Sequence, residues 1–306
     1  MPRVVITGAT GMIGSALSRV CLDAGYEVLA LVRKDSPRLS NLPHDGHLQV
    51  FDSSVDRYGS IGPEQVGEAD VFFHLAWVGT SPSARGALNA QVDNISYTLD
   101  AVELAHRLGC SVFVGAGSQA EYGHVQGDLC PDTPAFPTTG YGVAKLAAGQ
   151  MSRLACQSLG MRHEWARILS IYGPGDNLHT MVMQVIADAC AGNSPRCTKG
   201  EQLWDYLYCD DCARALLSIA ESGSDGRTYP IGSGTQRRLA DFIGDICDLC
   251  DTGVSPDFGA IPYQDEQVMY LRANTDALCG DTGFKPQVSF EEGISRTIEW
   301  YREDVR

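Results

Sequence analysis

The run Arg3-Val-Val-Ile-Thr7, followed at once by Gly8-Ala-Thr-Gly11-Met-Ile-Gly14, decides how the rest of the chain is read. Four consecutive β-branched residues closed by a glycine predict a short strand, and its uninterrupted apolar character predicts a parallel strand buried on both faces. An amphipathic pattern then runs to about residue 24 and predicts a helix. Strand, glycine turn and helix in that order give Gly-x-x-Gly-x-x-Gly a physical meaning. Glycines permit the tight turn and a close backbone approach, while the helix N-terminus offers unpaired N–H groups to a pyrophosphate. Gly8, Thr10, Gly11, Met12, Ile13 and Gly14 are the residues expected to surround it.

Outward from this stretch the unit repeats. Residues 27–32 read as a second strand ending in Arg33-Lys34. Folds that prefer NAD place an acidic residue about 20 positions past the glycines to hold the ribose 2′-hydroxyl. Here the residue 19 positions after Gly14 is Arg33, whose guanidinium suits a 2′-phosphate. The expectation is NADP(H), with NAD(H) as the alternative. Residues 48–51 form a third strand, with Asp52 at its end placed to reach an adenine amino group. Residues 70–76 form a fourth, followed by Trp77, and residues 84–108 a long helix carrying Asn94. Residues 111–115 form a fifth strand that runs into Ala116-Gly117-Ser118. Such strand–helix units imply right-handed crossovers and a doubly wound parallel α/β sheet, which binds ligands beyond the carboxyl ends of its strands. Gly8, Arg33, Asp52, Ala76 and Ser118 all fall at those ends.

Residues 140–159 read as a helix that opens Tyr141-Gly-Val-Ala-Lys145. Four residues apart, the phenol and the ammonium share one face. A phenol ionises near pH 10, and a cation about 4 Å away at an effective dielectric near 20 favours the phenolate by up to about 4 kcal/mol. That moves Tyr141 toward use as an acid or base near neutral pH.

Composition narrows the partners. A net charge of −15 over 306 residues leaves no basic stripe for nucleic acid. No apolar run reaches the 18 or so residues of a membrane span, and no leader pattern precedes the first strand, so the expected location is cytoplasmic. Eleven cysteines include the pairs Cys209/Cys212 and Cys247/Cys250. The first lies where a strand enters a helix and the second on a helix face with Phe242, Ile243 and Ile246. Buried thiols acting as small apolar groups account for both, and no metal is expected.

Taken together, Thr7-Gly-Ala-Thr-Gly-Met-Ile-Gly14, His74-Leu-Ala76, Asn94, Ser118 with Tyr122-Gly123, Tyr141-x-x-x-Lys145, Tyr172-Gly-Pro-Gly175 and Tyr208-Cys-Asp-Asp211 resemble the extended short-chain dehydrogenase/reductase superfamily, in its nucleotide-sugar epimerase, dehydratase and reductase branch. The resemblance implies a Rossmann domain over residues 1–168 and a mainly substrate-binding α/β part over 169–306, some of which returns to the Rossmann core. It implies that Tyr141 is the acid/base and that Ser118 hydrogen-bonds the reacting sugar oxygen. Lys145 would hold the nicotinamide ribose and depress the tyrosine pKa, and Asn94 would bind a structural water or fix a helix kink. Ser53, Leu75, Ala76, Ile168 and Ile171 would complete the cofactor site. Trp77, Gln119, Asn177, Trp204 and Arg272 are expected substrate contacts, with Arg237 and Arg238 as further candidates. A homodimer packed through the helices of Asn94 and Tyr141 is also implied.

Departures from the family pattern shape the chemistry. Sugar dehydratases of this kind carry an Asp-Glu pair after the serine position; here Gln119 and Ala120 stand there. Glu121 follows one place later and, on an extended chain, would face away from Ala120. Ser170 replaces a frequent diphosphate-binding Asn, and Trp204 a frequent phosphate-binding Arg. The resulting expectation is NADPH-dependent reduction of the 4-keto group of a CDP- or dTDP-linked 4-keto-6-deoxyhexose. A nucleotide-sugar 4-epimerase is the alternative, and a non-catalytic NADP(H) sensor the alternative of another class.

Overall fold

The structure is a computed structural model that describes residues 1–81, 84–264 and 267–305. Its centre is a seven-stranded parallel sheet. The strands are β1 (Arg3–Thr7), β2 (Glu27–Val32), β3 (Leu48–Asp52), β4 (Val71–His74), β5 (Val112–Ser118), β6 (Arg162–Ile168) and a last one, Thr228–Ile231, supplied by the C-terminal half. Across the sheet the order runs Thr228–Ile231, β6, β5, β4, β1, β2, β3. The chain therefore reverses direction of travel at β1, between β2 and β4, and opens a crevice at the carboxyl ends of those strands. Thr7 aligns with Leu31 on one side and His74 on the other, so the loops that follow these strands start level with each other.

Consecutive residues of the inner strands face opposite layers, and both layers are covered. Val4, Ile6, Phe73 and Val114 pack on Ala16, Leu17 and Cys21 of helix α1 (Met12–Asp23) and on the helix Cys209–Ser222. Val5, Leu29, Phe72 and Phe113 face the other layer, against Ala101, Leu104 and Ala105. Those three residues lie on the third helix of the chain. After the single turn α2 (Pro63–Val66) come α3 (Leu88–Arg107) and α4 (Gly140–Leu159). Burial on both faces, at about 1.5–3 kcal/mol per large apolar side chain, is why these strands read as apolar runs instead of alternating patterns.

The predicted bounds of α4 hold to the residue, and the helix face expected around Cys247 and Cys250 belongs to Leu239–Cys250. Three bounds differ by two residues or more. β4 ends at His74, because the N–H groups of Leu75 and Ala76 turn onto the Thr7 hydroxyl at 3.1 and 3.2 Å. α3 begins at Leu88, four residues later than expected, and β5 continues through Ser118 alongside Ile168 of β6.

The smaller part is built from short ribbons and helices around an aromatic cluster. Ser170–Tyr172 pairs with Tyr206–Tyr208, and Leu203–Trp204 pairs with Arg237–Arg238. Rings of Tyr206, Phe242 and Phe290 meet at 4.5 to 6.1 Å. Cys209, Cys212, Cys247 and Cys250 are buried, the latter two beside Phe242, Ile243 and Ile246. Burial pushes the Cys209 thiol up to about 12, the state of an inert packing group. Among the described residues no cluster of His, Cys, Asp or Glu is arranged to hold a metal, and no helix is long and apolar enough to cross a membrane.

Candidate active site

The three glycines of the first turn have separate jobs. Gly8 sits at φ +70°, and a Cβ there would lie 2.8 Å from the Ala76 nitrogen. A Cβ on Gly14 would lie 2.2 Å from the Gly8 carbonyl oxygen, so α1 packs on β1 only without one. Gly11 meets nothing closer than 3.4 Å and leaves its side open to a ligand. As the N-cap of α1, Gly11 supplies no capping side chain, and the first turn carries no acidic residue. The helix thus presents bare N–H groups and the positive end of its dipole. Asn41 donates to the Thr10 carbonyl at 3.0 Å, and Gly175 of the Tyr-Gly-Pro-Gly motif approaches Met12 within 3.7 Å of its would-be Cβ. Met12 and Ile13 lean on the main core. The cradle fits a pyrophosphate.

Arg33 and Lys34 stand exposed at the end of β2 and make no ion pair among the described residues. Asp52 uses one carboxylate oxygen to accept the Lys34 N–H at 2.7 Å, which ties the ends of β2 and β3 together. Ser53 is buried, its N–H on the Val32 carbonyl at 2.8 Å. Exposed Asp35 follows two residues on, but at the strand end itself stand Arg33 and Lys34, which fit a phosphate-bearing ribose.

Ser118 ends β5, and α4 brings Tyr141 and Lys145 against it. Thr139 caps α4 by accepting the Gly142 N–H at 3.1 Å. Gly142 lies so close to the turn Gln119–Glu121 that a Cβ would stand 2.3 Å from the Ala120 oxygen. This contact seats Tyr141 beside Ser118, whose hydroxyl works to lower the phenol's pKa. Both Tyr141 (7% exposed) and Lys145 (4%) are nearly dry.

The electrostatics differ from expectation in one respect. Lys145 donates to the Ala116 carbonyl at 2.6 Å and lies 3.7 Å from the centre of the Trp77 ring, but 5.9 Å from that of Tyr141. Burial pulls its pKa down to about 7, with Glu121 pulling the other way. Turned toward Ala116, Lys145 is not among the groups that set the phenol's pKa. Tyr141 is instead raised by burial; the Ser118 hydroxyl and Arg85, 4.8 Å over the ring, oppose that rise, and Glu121 adds to it. Arg85 went unnoticed in the sequence because it follows β4 in a loop with no motif of its own.

The rest of the set falls into supports and open groups. Trp77 meets Tyr141 edge-on at 6.0 Å and is held by Gln91, which accepts its indole N–H at 2.9 Å. Asn94, buried, accepts the Val78 N–H and donates to the Val78 carbonyl, both within 2.9 Å, so it pins the loop after β4. His74 bridges Thr7 and Thr98 and is kept neutral by burial, its pKa near 3. Gln119 carries a buried side-chain oxygen with no partner among the described residues. The chain at 119–121 is a 3-10 turn and not extended, so strand alternation does not apply there, and Glu121 is fully buried.

On the substrate side, the two departures touch: Trp204 donates its indole N–H to the Ser170 hydroxyl at 2.9 Å. Trp204 also packs beside Tyr122, Leu129, Leu169, Leu271 and Ala273. Arg272 donates to the Gly234 carbonyl at 2.9 Å and pairs with Asp128 at 3.4 Å, while Arg237 is paired with Asp245 at 2.7 Å. Arg238 is exposed, and Asn177 lies exposed in a turn where it accepts the His179 N–H. Ile168 and Ile171 are half-buried against the main core.

A dinucleotide cradle at the end of β1, with Ser118 and Tyr141 side by side at the end of β5 on the same sheet, points to an NAD(P)-dependent enzyme of the extended short-chain dehydrogenase/reductase type. The sequence profile described as the NAD dependent epimerase/dehydratase family matches residues 4–232, and the chain belongs to that family. It is 31% identical over 185 residues to a dTDP-glucose 4,6-dehydratase of Escherichia coli, an alignment covering 56% of this chain and about half (50%) of that relative. With another dTDP-glucose 4,6-dehydratase of Escherichia coli the identity is 30% over 344 residues, covering 98% of this chain and 93% of the relative. Among solved structures, UDP-glucose 4-epimerase from Thermotoga maritima superposes with a TM-score of 0.87 at 22% identity, covering 99% and 100% of the two chains. RMD from Pseudomonas aeruginosa, complexed with NADPH, gives 0.81 at 20% identity over 100% of both.

Proposed function

We propose that the protein catalyses NADPH-dependent reduction of the 4-keto group of a nucleoside-diphosphate 4-keto-6-deoxyhexose, with CDP- and dTDP-linked sugars as first candidates. The observation that carries the reading is Arg33, exposed without an ion-pair partner among the described residues where a 2′-hydroxyl reader would need a carboxylate. When bound, the nicotinamide supplies the hydride. Tyr141 gives its proton to the developing alkoxide at C4, and the Ser118 hydroxyl orients the same oxygen. Burial of Tyr141 favours the protonated phenol, and Ser118 beside it is half-buried. Gln119 and Ala120 supply no carboxylate to abstract a proton from the ring and expel water, which argues against a 4,6-dehydration despite the dehydratase relatives. Residues 1–168 would hold the cofactor and 169–306 mainly the sugar. A homodimer through α3 and α4 is part of the proposal, since Leu88, Val92, Val143, Met151 and Leu154 leave apolar surface exposed on those two helices.

The fold likeness to UDP-glucose 4-epimerase favours a second reading, in which a retained nucleotide removes and returns one hydride. The purified protein separates the two. NADPH oxidation at 340 nm with CDP- or dTDP-4-keto-6-deoxyhexose supports the reductase. Sugar inversion without net NADPH consumption, with NAD(H) copurifying, refutes it and installs the epimerase.

A further inference from the structure

Glu121 is fully buried and receives only donors. The Ser118 N–H reaches its Oε1 at 2.7 Å, the Trp165 indole N–H lies at 3.0 and 3.1 Å from its two oxygens, and the Arg167 Nε–H reaches Oε2 at 2.8 Å. The indole is fitted by subtraction. A Cβ on Gly115, Gly117 or Gly149 would stand 2.2, 2.4 or 2.6 Å from Trp165 atoms, so three glycines on β5 and α4 clear a slot that aims the ring at Glu121. Arg167 is in turn laid over the Tyr122 ring at 4.4 Å. We propose that Glu121 is the positioning residue of Ser118, a buried carboxylate that fixes where the serine hydroxyl stands against Tyr141. The proposal rests on the reading of Ser118 and Tyr141 as the reacting pair.

Two features of the fold require such a device. β4 stops opposite Gly115, so residues 116–118 run on with a sheet neighbour on one side only, β6. Lys145 takes the Ala116 carbonyl, and Glu121 takes the Ser118 N–H. The turn is then closed from both ends, because the Ser118 hydroxyl accepts the Ala120 N–H at 3.2 Å. A buried ion pair is weak evidence of stabilisation, since apolar side chains of similar volume often serve as well. What an apolar side chain lacks is an acceptor for the serine peptide. Because Glu121 is 0% exposed it does not touch substrate, and its effect passes through Ser118.

The test is a double-mutant cycle with Ser118, run on whichever nucleotide sugar the protein turns over. Glu121→Gln keeps the shape but sets an NH2 against a donor. It is expected to lower kcat by about 10-fold or more with KM held within roughly 3-fold. In a Ser118→Ala background the same change should add nothing. Trp165→Phe, which removes one donor, should lower kcat in the same direction by less. Should Glu121→Gln fail to fold, E121M/R167M removes the pair without leaving a lone charge and must show the same kcat loss. An unchanged kcat, or losses that multiply with Ser118→Ala, overturns the proposal. Turnover surviving Tyr141→Phe would instead sink the reading of the site. The contact itself is read without substrate: of the four tryptophan indole N–H signals in a 1H–15N spectrum, the one lost in Trp165→Phe must shift in Glu121→Gln, and a signal that does not move refutes it.

Discussion

Removing Lys145 should make the nucleotide-free protein more stable, in a way that depends on pH. An ammonium in the unfolded chain titrates near 10.4, whereas burial pulls Lys145 down to about 7. The gap, from an ordinary 10.5 to about 7, is about 3.5 pH units, or roughly 4–5 kcal/mol at 1.36 kcal/mol per unit. A lowered ammonium pKa means that the unfolded chain binds more protons between pH 7 and pH 10. Stability therefore rises with pH across that window, and below pH 7 the penalty is constant. Lys145→Met removes the charge, keeps the length, and places a thioether by the Trp77 ring, where sulfur–aromatic contact is favourable. It also strands the Ala116 carbonyl, which costs about 1–3 kcal/mol. The net is about 1–4 kcal/mol in favour of the variant at pH 7, shrinking to nothing or reversing at pH 10, with activity lost throughout. Melting temperatures of both proteins from pH 6.5 to 10 suffice, because their difference cancels every other titrating group. A methionine variant that melts lower at pH 7, or a difference that does not change with pH, refutes the burial argument.

Other expectations follow from single contacts. Arg33→Asp should weaken NADP(H) by about 30-fold or more, while NAD(H) stays within about 3-fold, by fluorescence titration at fixed salt; equal losses would remove the 2′-phosphate role. Gly14→Ala drives a methyl into the Gly8 carbonyl and should cost about 1–3 kcal/mol of stability together with dinucleotide affinity. An unchanged melting temperature would show that the turn yields. Asp205, fully buried, accepts the N–H groups of Ser233, Gly234 and Ala273 and the Ser233 hydroxyl. Asp205→Asn turns an NH2 toward one of those donors and should lower the urea midpoint by the equivalent of about 2–4 kcal/mol, which a variant with an unshifted midpoint would contradict.

What the sequence made legible was local. Helix α4 was bounded correctly because Thr139 caps it and Gly160, at φ +72°, ends it, signals that need no neighbour. The glycine turn was legible because its three positions answer to backbone geometry within one βα unit. What stayed hidden depends on residues far apart in the chain. Gly115, Gly117 and Gly149 read as small residues in a strand and a helix until Trp165 arrives from β6 and shows them to be one slot. The Tyr141/Lys145 spacing put an amine on the right helix face, but whether that amine points at the phenol or at Ala116 is set by where β4 stops.

The Ser170 and Trp204 substitutions make the same point from the substrate side. Read separately, each removes a familiar phosphate contact. In the structure the indole N–H of one occupies the hydroxyl of the other, at the junction of the strands Ser170–Tyr172 and Leu203–Trp204. Restoring either residue alone would leave a polar group facing an apolar ring or an unfilled gap, so the pair is a single unit of pocket shape. Of the three arginines expected on that side, Arg272 and Arg237 are already bound to Asp128 and Asp245, and Arg238 is exposed with no ion-pair partner among the described residues. A diphosphate recognised here would therefore lean on Arg238 and on backbone N–H groups, and its affinity should fall with salt more gently than in a pocket built on paired arginines.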